Sequence, residues 1–177
     1  HRLRIEHGYR QIETKLSEPP PREGSEEVTT LTLRLPQALV VLTPELGSAQ
    51  QKRLTTVLGE QGFTLVPSRD RDLLLQKLPD RTGCLTQTGC QLWIGEQLDV
   101  EQILVVRSLD LSDATSRVTQ SRLSMEVLTV PQGAQRFHRQ ALCPSCSPGR
   151  IEPYLQALVR TLRRELPDLV NPSGPSA

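Results

Sequence analysis

Residues 84–106 read CLTQTGCQLWIGEQLDVEQILVV. Two cysteines separated by five residues lead into a short amphipathic segment whose Leu92, Ile94 and Leu98 fall on the inward side. A turn follows, and then the continuous apolar run Ile103–Val106. Such a run, closed off by turn signals, is the pattern of a strand buried on both faces. A helix that hands its chain directly to a buried strand is half of an α/β unit. This stretch therefore decides the fold class.

Upstream, Ala38–Leu42 (ALVVL) is a second apolar run, ended by Pro44 and Gly47. Ser48 is the expected N-cap of a helix over Ala49–Gln61, with Leu54, Val57 and Leu58 on one face and Gly62 closing it. Phe63–Val66 reads as a further short strand. Ser68 is expected to cap the next helix, with Asp70 and Asp72 favoured in its first turn by the helix dipole. Leu73, Leu74, Leu75 and Leu78 supply its apolar face, and Pro79 stops it. Residues 80–89 are expected to be a loop, and Cys90–Leu98 a helix.

Downstream, Val118–Val130 is a long strand with imperfect alternation, and Gln135–Leu142 pairs with it across the turn at Pro131–Gly133. A final helix spans Ile151–Leu166 with Ile151, Leu155, Leu158, Val159 and Leu162 on one stripe. Arg160, Arg163 and Arg164 near its carboxyl end suit the dipole. The order predicts an α/β fold: a mixed sheet with helices, then an antiparallel meander and a C-terminal helix. Three regions follow. Residues 1–36 form an extended polar leader, with a Pro-rich spacer at Glu18–Glu27 and a candidate edge strand at Val28–Leu35. Residues 37–166 form the α/β domain, and 167–177 a disordered tail.

Lys+Arg number 21 against 20 Asp+Glu, a net charge of +1, which gives no field to attract nucleic acid or an anionic membrane. Aromatics at 3% are too few for base-stacking platforms. No stretch reaches the roughly 18–20 consecutive apolar residues of a membrane span. The chain starts at His1 rather than Met, the expectation for a product whose signal peptide or lipidated leader has been removed.

Chemistry is sparse. His1, His7 and His138 are scattered, with no carboxylate near His138 in the chain to orient it, and no local motif assembles a Ser–His–Asp triad. Gly83, Gly89 and Gly95 span a loop and a helix, the wrong context for a dinucleotide fingerprint. No catalytic, cofactor-binding or metal residues are assigned. The four cysteines form two local pairs, Cys84/Cys90 and Cys143/Cys146, although four cysteines permit three connectivities. Disulfides are expected, each closing a short loop toward the lower end of about 2–4 kcal/mol. A four-thiolate zinc site, that of a structural-zinc adaptor, is the competing reading, but only Cys143–Cys146 has zinc-ribbon spacing. CPSC at 143–146 also raises a thiol–disulfide oxidoreductase, yet the chain lacks the further strands of a thioredoxin-like fold after it. Candidate partner contacts are Trp93 on the short helix and Leu31 and Leu33 on the edge strand.

The pattern carried by Cys84, Cys90, Ile94, Gly95, Leu98, Ile103, Leu104 and Val105 resembles the TolB amino-terminal-like or curli-secretion-protein-like family of bacterial envelope domains. Phe63, Leu65 and Val66 match that family's short strand, and Arg71, Leu74 and Leu75 its following helix. The resemblance covers about residues 37–166. It departs at Asp110–Ser116, where the family's glycine is missing, and at Val100-Glu101, where the family has Ala-Asp. It implies an anticodon-binding-like βαβα topology before the meander. It also implies a non-catalytic assembly component of a secretion or motility complex, periplasmic and attached to the outer membrane through a preceding segment. Partners would be other envelope proteins, or further copies joined through a sheet edge.

Overall fold

The computed structural model describes residues 2–7, 10–15, 38–111, 120–143 and 150–170. At the amino end β1 (Arg2–His7) and β2 (Arg10–Lys15) pair antiparallel as a separate two-stranded sheet, with Ile5 opposite Ile12. The expected strand Val28–Leu35, with Leu31 and Leu33, lies outside the described residues.

The main sheet has four strands in chain order: β3 (Leu39–Leu42), β4 (Gln102–Asp110), β5 (Ser121–Thr129) and β6 (Gln135–Cys143). β3 and β4 are parallel, and β4, β5 and β6 form an antiparallel meander. Between β3 and β4 the chain makes α1 (Ser48–Glu60), α2 (Ser68–Leu75), α3 (Arg81–Thr86) and α4 (Thr88–Gln97). After β6 comes α5 (Glu152–Glu165). The mixed α/β architecture expected from the residue pattern is the one observed.

The apolar runs are explained by two cores, one on each face of the sheet. Leu39, Val41, Leu104 and Val106 point with Leu123, Met125 and Val127 toward α1 and α5, meeting Leu54, Leu58, Leu155, Val159 and Leu162. Val40, Leu42, Ile103 and Val105 point the other way, toward Leu75 of α2, Cys84 of α3, and Ile94 and Leu98 at α4. Every side chain of LVVL is thus buried, and each large one contributes about 1.5–3 kcal/mol of transfer free energy. β5 alternates in burial from Ser121 to Val127, with Leu123, Met125 and Val127 in the first core, and then Leu128 joins the second.

Several local expectations change. α1 is capped by Gly47 rather than Ser48, because the Gln50 side chain reaches back to accept from the Gly47 N–H at 2.8 Å. α2 likewise starts at Ser68 with Pro67 as its N-cap, and Leu73 turns out to solvent, 47% exposed. Phe63–Val66 is not a strand but a single parallel bridge, Leu39 to Leu65. Within the expected loop 80–89 lies α3, capped by the Asp80 carboxylate, which accepts from the Gly83 N–H at 2.9 Å. Past Leu166, where a tail is expected, Pro167–Leu169 makes a 3-10 turn that buries Leu169 completely in the first core.

α4 ends in a Schellman arrangement. Asp99 adopts φ 49°, the Val100 N–H donates to the Gly95 carbonyl at 3.1 Å, and the Asp99 N–H to the Glu96 carbonyl at 3.1 Å. Val100 is then buried and the chain enters β4.

Candidate functional site

The cysteine segment is structural at atomic detail. Cys84 of α3 and Cys90 of α4 form a disulfide with Cα atoms 5.1 Å apart, and Cys84 is buried in the second core. Beside it, fully buried Gln91 donates from Nε2 to the Leu85 carbonyl at 2.6 Å, satisfying a backbone acceptor where α3 gives way to α4. Bond and amide together fix the α3–α4 corner against the sheet. Trp93, the candidate partner contact, is half-buried and packs on this same core.

Cys143, the last residue of β6, is also disulfide-bonded and only 1% exposed. Its expected partner Cys146 lies outside the described residues. His138 does have a carboxylate facing it, contrary to the reading of the chain, because the β5–β6 register sets Glu126 directly opposite. Glu126 pairs with Arg107 at 3.5 Å, while the His138 ring meets the Gln140 amide at 3.1 Å. His1 and the His7 side chain lie outside the description. Among the described residues no group of three or more His, Cys, Asp or Glu is placed to hold a metal ion, and no helix is long and apolar enough to cross a membrane.

Both edge strands of the main sheet are engaged by neighbouring groups. On β6, Arg139 donates from Nη1 to the His138 carbonyl at 2.8 Å and forks onto Glu165 of α5 at 2.9 and 3.0 Å. Arg136 is held by Asp168 at 2.9 Å. Charges tethered along an edge discourage strand addition. On β3, Leu39 donates to the Thr64 carbonyl and accepts from the Val66 N–H, both at 2.9 Å. Two residues further on, Arg71 donates from Nη1 to the Val41 carbonyl at 2.9 Å. Arg71 lies on α2 three and four residues before Leu74 and Leu75, on the partly buried side of that helix. That spacing is the signal in the sequence for an arginine facing the protein, and composition alone conceals it.

No protein-family model matches the chain, and no curated protein matches it. Among solved structures it is similar to the lipoprotein GNA1162 from Neisseria meningitidis, with 11% identity, 77% of this chain and 100% of that one covered, and a TM-score of 0.47. It is similar to the LpoB C-terminal domain from Salmonella enterica, with 17% identity, 68% and 88% covered, and a TM-score of 0.48. Similarity to TolB from Acinetobacter baumannii has 10% identity and covers 73% of this chain but 28% of that one, with a TM-score of 0.48. These are likenesses of backbone path, and no residue's role is carried over from them.

Proposed function

We propose that this chain is a non-catalytic interaction and assembly component of a bacterial envelope complex, working in the periplasm beside the outer membrane. Its folded unit is residues 37–166, extended by the 3-10 turn, and residues 1–36 act as its leader. The observation that carries the reading is the Cys84–Cys90 disulfide seated in the second core, accompanied by a disulfide at Cys143. Disulfides persist in oxidising compartments and are rare in the cytosol. The resemblance of residues 37–166 to envelope domains points to the same place.

A structural-zinc role is disfavoured because the Cys84 and Cys90 sulfurs are bonded to each other and hold no thiolate for a metal. A thiol oxidoreductase is disfavoured because Cys143 is 1% exposed, and exchange needs an approachable sulfur. The near-balance of charge supports proteins rather than nucleic acid as partners. Those partners are other envelope proteins or further copies of the chain, met through a sheet edge.

Intact mass of the native chain purified without reductant, before and after thiol alkylation, tests the reading. The expected result is the mass deficit of two disulfides, with Cys84–Cys90 and Cys143–Cys146 found linked in mapped peptides. Four alkylatable thiols would overturn the compartment, and a stoichiometric bound metal would replace it with the adaptor reading.

A further inference from the structure

A cleft runs along the outer side of β3 between α1 and α2, and Arg71 divides it. On one side is a cavity of 230 Å³ walled by Val40, Leu65, Val66 and Pro67. On the other is one of 190 Å³ bounded by Leu42, Thr43, Gln51 and Leu75. The arginine side chain lines both and is only 15% exposed. Its anionic partner is its own chain neighbour. Nε and Nη2 both donate to Asp72 Oδ1, at 2.9 and 2.7 Å, and the Asp72 side chain is 51% exposed. A guanidinium engages a well-placed carboxylate through two parallel bonds to two oxygens, and here one oxygen takes both. Asp72 is the half-exposed member of this pair, and a carboxylate that offers two oxygens is the better acceptor.

The floor of the cleft is the edge of a parallel strand. That edge already pairs with one extended segment, since Leu39 exchanges both its backbone groups with Thr64 and Val66. At Val41, on the same side of the strand, the guanidinium stands where the N–H of a further strand residue would donate. A largely buried cation and a mostly apolar cavity beside it together define the complementary ligand. A C-terminal amino acid is the smallest unit that supplies, around one Cα, an anion for the fork and an aliphatic side chain for the cavity. The 230 Å³ cavity suits one branched side chain and is below the roughly 300–1,000 Å³ of pockets for larger ligands.

We propose that the β3 cleft binds the carboxyl-terminal end of an extended peptide from a partner protein. The terminal carboxylate takes the place of Asp72 on Arg71, and the last apolar side chain enters the cavity walled by Val40, Leu65, Val66 and Pro67. The inference rests on the proposed interaction role only in taking the occupant to be a protein.

The test is a titration of the ¹⁵N-labelled chain, residues 1–177, followed by amide shifts, with N-acetyl-Ala-Val-Leu, its carboxamide and isovalerate. The free acid is expected to move the Val41, Leu65 and Arg71 amides saturably, with the carboxamide and isovalerate each at least about tenfold weaker. Arg71→Lys keeps the charge but loses the fork, and is expected to weaken the acid by about tenfold in a chain whose spectrum is otherwise unchanged. No saturable shift, equal binding of acid and carboxamide, or an unchanged affinity in Arg71→Lys would overturn the site. Isovalerate binding as tightly as the tripeptide would overturn the peptide and leave a small-carboxylate pocket. None of these results alters the disulfide mass, so a failure here and a failure of the envelope reading are separable.

Discussion

Replacing Gly95 with alanine measures how closely α4 lies on the sheet. Gly95 is buried, and a Cβ built there would stand 2.6 Å from Val130 Cγ2 and 2.9 Å from Ile103 Cδ1. Carbon atoms in ordinary contact sit about 3.5–4.0 Å apart, so something must move. Val130 is half-buried and can yield, but Ile103 is fully buried in the second core. Two effects oppose each other. Alanine is better than glycine in a helix interior by about 1 kcal/mol, whereas forcing a methyl group into a packed core costs about 1–3 kcal/mol. Overpacking wins because one of the two neighbours has no free space, and the net loss is up to about 2 kcal/mol. The same helix supplies the control. A Cβ at Gly89 meets nothing within 4 Å, so Gly89→Ala carries the helix preference alone and gains roughly 0.5 kcal/mol. Urea unfolding reads both. With a slope of about 2 kcal/mol per molar, the Gly95→Ala midpoint falls by up to roughly 1 M and the Gly89→Ala midpoint rises by a few tenths, at unchanged slope. If Gly95→Ala matched Gly89→Ala in stability, the close seating of α4 would be refuted.

Replacing Cys84 and Cys90 with serine releases a short loop and is expected to cost about 2 kcal/mol, read as a lower urea midpoint without reductant. Leu155→Ala opens a cavity between α5 and the sheet, where Leu155 is 0% exposed, and calorimetry is expected to show a loss of about 3 kcal/mol. Asp99→Gly relieves a side chain held at φ 49° and is expected to raise the thermal midpoint by the equivalent of about 0.5–1 kcal/mol.

The elements legible in the chain were those in which one physical demand dominates. LVVL at Leu39–Leu42 has helices on both faces, so nothing polar interrupts it. The Ile151, Leu155, Leu158 and Leu162 stripe has one face to bury and four turns on which to repeat. Elements that depend on a neighbour distant in sequence were hidden. Phe63–Val66 has strand composition, but only Leu39 is free to pair with it before Arg71 takes the Val41 carbonyl and Pro67 turns the chain into α2. α3 contains a glycine and reads as loop, yet the Asp80 cap and the link from Cys84 to Cys90 hold six residues helical. The cysteine pairing was visible as a spacing, whereas Arg71 was visible only as part of a helix pattern. Its place between two cavities comes from the packing of α1 and α2 around β3, which no local signal encodes.

The parallel pairing of β3 with β4 also sets the order of events when the chain folds. β4, β5 and β6 are joined by near neighbours in sequence, so their ladder closes at small entropic cost, whereas β3 meets β4 only by closing the longer loop that holds α1 through α4. Until that loop closes, LVVL is a short, uncharged, β-prone run without a partner, the kind of segment through which unfinished chains join one another. The speed with which α1 folds back over LVVL therefore governs how concentrated the chain can be while it folds, whatever the stability of the finished sheet.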